Sequence, residues 1–420
     1  MSEALAIALG TAVGILACLV PGLHAALALT FLMGFGLVSW LGPGPATLFL
    51  AAAAGAIVYT RRLGAVYHPS AVGDDPAAMA AMDVAQRLTS QGQGPQALRL
   101  MTLGVDIAWV PVTILTGIFL LAAVVGIDLA HLATHSLGIL AVPLILVWLV
   151  HTVFRSRSRV LALVGLILTG VCGFAVLHMP ALQGNEHQLA PLMGGLFGIP
   201  MMLTVLDHGK TELAPQQPCN GLEVDAGMGL LGAIVGLLSS FMAGIGAGSL
   251  VGMLGSLIGD HEPTYLLTAT AGEAAKETAA ILLLLMAGSG HTGEAQLLGR
   301  TVGSHLTPIQ VIAVLAALVI GAFFGRKAVF ALETPYQTFI RLVPPGFWAG
   351  VVIVLALWQV WLTGLGLPAF LLAGACTATA LFARAAKLPL QVGFAALALP
   401  MLVTACGGVP GLDHLLFSTL

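Results

Sequence analysis

The apolar residues of this chain come in runs of nearly bilayer length, parted by short polar or Pro/Gly breaks, and such runs build a bundle of membrane helices. A spanning helix needs about 20 mostly apolar residues. The breaks divide the chain into segments 4–20, 25–43, 45–60, 101–126, 137–153, 160–180 and 190–206. A second set follows at 226–242, 247–259, 264–288, 306–325, 344–364, 366–384 and 388–407. The first two of each set are short and broken by glycine, so each reads as a span or as half of a re-entrant hairpin. That leaves between about ten and fourteen helices.

Charge confirms the class. Only 8% of the 420 residues are Asp, Glu, Lys or Arg, against about one-quarter in a soluble protein, too few to cover a soluble surface. A coiled coil, a nucleic-acid binder and a disordered chain are excluded on the same ground. The net charge of −3 selects no partner. Cys18, Cys172, Cys376 and Cys406 lie in apolar runs, Cys219 in a polar one, and no CxxC or zinc spacing occurs. A signal peptide needs a positive start, whereas this chain opens Met1-Ser2-Glu3, so residues 4–20 read as retained. The expected fold is an all-α multi-pass protein of the cell membrane.

Lys and Arg mark cytoplasmic loops. They stand at Arg61, Arg62, Arg87 and Arg99, at Arg155, Arg157 and Arg159, at Lys210, at Arg326, Lys327 and Arg341, and at Arg384 and Lys387. Loops 127–136 and 181–189 have none. Alternating sides then put both termini outside, with 289–305 outside despite its Arg300.

The chain repeats itself. Gly10 to His24 aligns without a gap on Gly232 to Gly246, an offset of 222 residues, with Gly10/Gly232, Gly14/Gly236 and Gly22/Gly244 in register. Pro45 to Ala51 answers Pro263 to Ala269 with a small shift. The division is a first repeat at 1–206 with a polar loop at 61–99, a linker at 207–225, and a second repeat at 226–420. An odd number of segments in the first repeat turns the second over. The fold class is therefore two inverted-topology repeats with helices broken or re-entrant at the midplane, a frequent design of secondary transporters. Glycines that merely pack helices closely are the plainer account.

The breaks are the candidate site. Pro21 removes a backbone donor and Gly22 permits unusual dihedrals, so Pro21-Gly22-Leu23-His24 should unwind its helix. Freed backbone groups inside a membrane need protein, water or ligand partners. A helix restarting beyond the break aims N–H groups and a positive dipole end at the gap, which suits an anion. Gly244-Ile245-Gly246-Ala247-Gly248-Ser249 offers the same in the second half, with a hydroxyl at Ser249. A kink at Pro21 and a packing groove at Gly246 and Gly248 are the bland alternatives. Glu273, Lys276 and Glu277 sit in segment 264–288 at spacings that let all three share a helix face. Lys276 either pairs with Glu273 or meets a substrate carboxylate while Glu273 or Glu277 binds a coupling cation; structural pairing alone is the alternative. Asp106 and Tyr59-Thr60 read first as interfacial anchors.

Other chemistries are weaker. Asp128, His131 and His135 carry a metal-like spacing but lie in an expected outer loop. Ser249 with His24 or His151 would make an intramembrane hydrolase only with a base in reach. No Gly-x-x-x-x-Gly-Lys-Ser/Thr loop is present. A pair of broken helices would also serve a polyprenyl-phosphate or polar-lipid flippase.

Taken together, the Pro21-Gly22-Leu23-His24 break, its Gly244-Ile245-Gly246 partner and the polar segment between resemble the tripartite tricarboxylate transporter permease (TctA) family. That segment reads Pro69-Ser70, Gly73-Asp74-Asp75-Pro76, Arg87-Leu88, Gly92-Gln93-Gly94 and Ala97-Leu98. The chain looks closer to the family's shorter relatives, best known from archaea. It departs at Ala243, where the family has proline, and at Val84-Ala85-Gln86, where the family has Pro-Gly-His. Glu273 to Glu277 replace asparagines that bacterial members carry after the second break. The resemblance implies an Na⁺- or H⁺-coupled symporter of organic anions, a di- or tricarboxylate, with no cofactor and no catalysis. It also implies a small membrane subunit and an extracytoplasmic binding protein as partners in the bacterial system, whereas the shorter relatives often act without them.

Overall fold

The computed structural model describes residues 2–17, 29, 40–68, 76–138, 140–183, 187–208, 213–219, 221–222, 224–242, 247, 250–251, 261–290, 292–301, 307–388, 392–393 and 395–405. Regular structure within them is helical. In chain order the helices are α1 (Glu3–Ala17), α2 (Pro43–Tyr67), α3 (Pro76–Ser90), α4 (Gly94–Val124), α5 (Leu129–Gly138), α6 (Ala141–Arg155) and α7 (Arg159–His178). Helix α8 passes from Ala190–Met193 through a π turn at Gly194–Gly198 into Ile199–His208. The second half holds α9 (Ala226–Ser240), α10 (Glu262–Ala287), α11 (Gly293–Thr301), α12 (Pro308–Leu342), α13 (Pro345–Leu362), α14 (Leu367–Ala385) and α15 (Ala395–Ala405).

Local chemistry sets the boundaries. Asp225 starts α9 by accepting the Met228 N–H at 3.2 Å, and Thr307 starts α12 through a capping box with Gln310. Prolines stand in the first turns of α2, α4, α10 and α12, where a missing N–H costs nothing. Helix α10 ends at Gly288, whose φ of 68° is the left-handed stop that favours glycine.

Among the described residues, five helices are each long and apolar enough to cross a membrane, namely those spanning Pro43–Tyr67, Gly94–Val124, Arg159–His178, Ile309–Leu342 and Leu367–Ala385. A sixth crossing is α5 with α6 if that bent pair is one span. The outer faces carry lipid-suited stripes: Val110, Ile114, Leu121 and Val124 of α4 are exposed, while Val105, Ala108, Val112 and Phe119 on its other face are buried. A chain whose large apolar side chains point outward in stripes is solvated by lipid.

The packing repeats as the sequence does. Helix α1 packs on α2 and α9 on α10; α2 packs on α12 and α10 on α4; α1 also meets α12, and α9 meets α4. These three contacts of one unit each have a counterpart in the other. The seams agree residue by residue. A Cβ on Gly10 or Gly14 would run into the carbonyl oxygens of Phe49 or Ala53, and one on Gly232 or Gly236 into those of Thr268 or Gly272. Helices α2 and α10 run antiparallel. The first turn of α2 reaches the end of α11 through Thr47 and Thr301, 3.1 Å apart. Its far end accepts from Thr89 of α3 at Val66, and α3 in turn pairs Arg87 with Glu262 at the start of α10. Inversion of the second unit requires this antiparallel course. Helices α6 to α8 and α13 to α15 form a second bundle around Ile145, Trp148, Leu166, Leu192, Val392 and Met401.

Several loop expectations change. Arg61 and Arg62, read as opening the polar loop 61–99, lie inside α2, and the rest of that loop includes α3 and the start of α4. Arg326, Lys327 and Arg341 lie within α12, which at about 1.5 Å per residue is roughly 52 Å long and outreaches the ~30 Å hydrocarbon layer. Asp128, His131 and His135 belong to α5 and its cap, where Asp128 accepts the His131 N–H at 3.1 Å. Charges marked these stretches as loops, but a helix keeps a charged residue wherever a partner or water reaches it.

Candidate functional site

Of the break residues, Pro21, Gly22, Leu23, His24, Gly244, Ile245, Gly246, Gly248 and Ser249 lie outside the described residues. Ala247 is described and fully buried. The flanks carry the placement. Leu29 and Val251, 222 residues apart and therefore equivalent in the repeat, are both helical and buried. Val251 stands against Gly272, where a Cβ would be 2.9 Å from its Cγ2. The chain leaving the second break thus packs beside Glu273. In the first unit, Thr60 donates to the Gly14 carbonyl of α1 at 3.1 Å. This fixes α1, four residues short of the undescribed stretch, at the level of Arg61.

Beside Val251 and the Thr60–Gly14 contact lies a buried cluster of four charges drawn from both units. Arg61 of α2 donates both terminal nitrogens to the two oxygens of Glu277 on α10. Its Nη2 also lies 3.1 Å from Glu273 Oε1. Arg62 donates through Nη1 to Glu273 Oε2 at 2.6 Å and through Nε to the Val58 carbonyl at 3.2 Å. Its Nη2 is buried with no hydrogen-bond partner. The side chains of Arg62 and Glu273 are 2% and 5% exposed, those of Arg61 and Glu277 17% and 12%. The spacing of four between Glu273 and Glu277 puts both carboxylates on one face of α10, opposite two consecutive arginines.

Of the two alternatives for Lys276, the internal pair with Glu273 is not formed. Glu273 and Glu277 face α2, and Lys276, half-buried on α10, has no carboxylate within salt-bridge distance among the described residues. Sequence reading missed Arg61 and Arg62 because it counted them as loop markers. The usable signal was charge balance: two glutamates and one lysine inside a span leave a buried negative charge that needs another cation.

A second polar contact lies one turn away on α2. Asp106 of α4 is gripped by Arg326 of α12, with Nε to Oδ1 and Nη2 to Oδ2 both 2.8 Å, while the Tyr59 hydroxyl donates to Oδ1 at 2.8 Å. Asp106 and Tyr59 of the first unit thus meet Arg326 of the second, and the contact ties the two units together.

The Gly92-Gln93-Gly94 motif has a mechanical role. Gly92 takes φ 82° and receives the linker between the units: Gln217 donates to its carbonyl at 2.8 Å. Gln216 accepts from the Gly94 N–H at 2.8 Å and donates to the Thr89 carbonyl at 3.1 Å, so it caps α4. Side chains at either glycine would collide with this strap.

Elsewhere, an open cleft of about 260 Å³ lies among Phe119, Asp128, Leu129 and Met286, far along α4 and α10 from the charges. No group of three or more metal-ligating side chains occurs among the described residues. His131 and His135 are exposed.

Set against known proteins, residues 4–392 match the family model described as the tripartite tricarboxylate transporter TctA family. No curated protein and no solved structure matches.

Proposed function

Since the chain belongs to the tripartite tricarboxylate transporter TctA family, we propose that it is a secondary permease that carries a di- or tricarboxylate across the membrane with Na⁺ or H⁺. The observation that supports this reading most directly is the buried Arg61–Arg62–Glu273–Glu277 cluster. Charges inside a membrane bundle are costly and collect where ions pass. These four join the two repeat units, so any movement of one unit against the other remakes their contacts. Val251, just beyond the second break, packs against the same stretch of α10 at Gly272.

In this reading the tips at Pro21 to His24 and Gly244 to Ser249 present backbone N–H groups to the anion. Lys276 supplies a positive charge from α10, and the cation is held by freed carbonyls and by Glu273 or Glu277. A cluster 2–17% exposed and enclosed by helices of both units fits a water-borne anion better than a lipid headgroup sliding along an outer groove. The partners are a small membrane subunit and an extracytoplasmic binding protein, as in the tripartite systems for which the family is named.

The test is uptake of labelled citrate and succinate into proteoliposomes under an imposed Na⁺ or proton gradient. Gradient-dependent accumulation is expected, and Gly22→Leu or Gly244→Leu should abolish it without preventing membrane insertion. Retained uptake in both variants would remove the break tips from the site. Transport of lipid phosphates alone would replace the carboxylate reading.

A further inference from the structure

We infer that Arg62, with Arg61 beside it, docks a carboxylate of the transported anion, and that Glu273 and Glu277 are internal stand-ins which that carboxylate displaces. The inference rests on the permease reading and adds to it the residues that would hold the anion's charge.

Arg62 is the starting point. A guanidinium offers five N–H donors in a planar fork that matches a carboxylate edge to edge. Here Nε is spent on the Val58 carbonyl and Nη1 on a single oxygen of Glu273, while Nη2 is buried with no partner. Buried donors are nearly always satisfied, and an orphaned one needs an explanation. A carboxylate arriving on the Nη1–Nη2 edge would satisfy both nitrogens, which Glu273 does not.

The stand-in role follows from spacing. Residues four apart on a helix have their side-chain origins about 5–6 Å apart, a separation of the order of that between carboxyl groups in a short dicarboxylate. Glu273 and Glu277 present two carboxylates in this way to two consecutive arginines. Access exists at one edge: Arg61 and Glu277 are partly exposed, and Lys276 is half-buried next to them. Lys276 adds a positive charge that would draw an anion toward that edge.

Displacement makes anion and cation binding mutually dependent. Once an incoming carboxylate takes Arg62, the released Glu273 keeps only Arg61, whose two terminal nitrogens already bind Glu277, and is left short of positive charge. It must then take up H⁺ or Na⁺. Among the described residues, the charged groups around Glu273 are Arg61 and Arg62 from α2, with Glu277 and Lys276 nearby on its own helix. The Asp106–Arg326 pair with Tyr59 lies one turn further along α2, and Glu262–Arg87 closes the start of α10. The last two pairs are matched internally, so the free charge falls on the glutamates. Anion and cation would therefore each raise the other's affinity.

Citrate and succinate binding to the purified full-length protein, measured by calorimetry and thermal shift at several Na⁺ concentrations and pH values, tests this. Glu273→Gln removes the competitor and should bind citrate about tenfold tighter, with an affinity that loses its dependence on Na⁺ or pH. The charge-balanced R62Q/E273Q variant guards against simple misfolding; it should keep the wild-type thermal transition and lose citrate at least about tenfold. If E273Q binds no tighter and R62Q/E273Q binds like wild type, the cluster is structural, the inference fails and the permease reading stands. If neither acid binds wild type under any cation, both fail.

Discussion

Helices α2 and α10 hold the same place in the two halves and carry opposite chemistry. Each lies against its unit's first helix through a pair of glycines, Gly10 and Gly14 in one case and Gly232 and Gly236 in the other. Each also supports the other unit's long helix. Matching the seams sets Phe49 against Thr268 and Ala53 against Gly272, so Glu273 corresponds to Ala54 and Arg62 to Ile281. The counterpart of the Arg62–Glu273 contact is therefore Ala54 with Ile281, both buried in one apolar cluster. The backbone packing is alike in the two places, and the side chains are not. The lesson is that close packing of glycines preserves an architecture, while one of two equivalent contacts is left free to acquire charge.

The sharpest way to break that comparison is Arg62→Gln alone. It leaves Glu273 buried with only Arg61, which already holds Glu277, as a partner, and a cost of about 3 kcal/mol is expected, read as a lower thermal midpoint in detergent. Adding Glu273→Gln should recover most of it, and Ala54 or Ile281 exchanged for similar apolar residues should cost far less. Next come the seams. Gly14→Val and Gly236→Val should each cost about 3 kcal/mol, because a side chain must push two backbones apart. Equal losses would support the equivalence of the units, and a loss in only one would refute it. Gln216→Ala should cost about 1 kcal/mol by uncapping α4, visible as faster proteolysis of the linker. The smallest effect is expected at Asp106→Asn. Asp106 and Arg326 are 26% and 48% exposed, and a pair so exposed contributes under about 1 kcal/mol.

Much of the architecture was legible in the sequence because membrane helices advertise themselves by composition. Every expected segment with described residues is helical or forms part of a helix, and the packing of α1 on α2 and of α9 on α10 is consistent with the 222-residue repeat. What misled was charge. Arg61 and Arg62 follow an apolar run, as residues at a loop border do, and their partners lie more than 200 positions away. Glu273 likewise had a plausible cation at Lys276, three residues on, and only the folded chain turns it towards α2. Sequence shows neighbours along a helix, whereas intramembrane charge is balanced across helices. The long half of α12 beyond Arg326 was hidden for a similar reason, since its Asp106 partner comes from the other unit.

The glycine seams also have an elastic consequence. Where backbone touches backbone, as at Gly236 and Gly272, there is no side chain to change rotamer and take up a displacement. Helices α1 with α2, and α9 with α10, should each respond to load as a single stiff plank. Strain delivered at one end of such a plank arrives at the other with little loss, so whatever yields in this molecule yields between planks, along the α2–α10 boundary that the arginines and glutamates bridge.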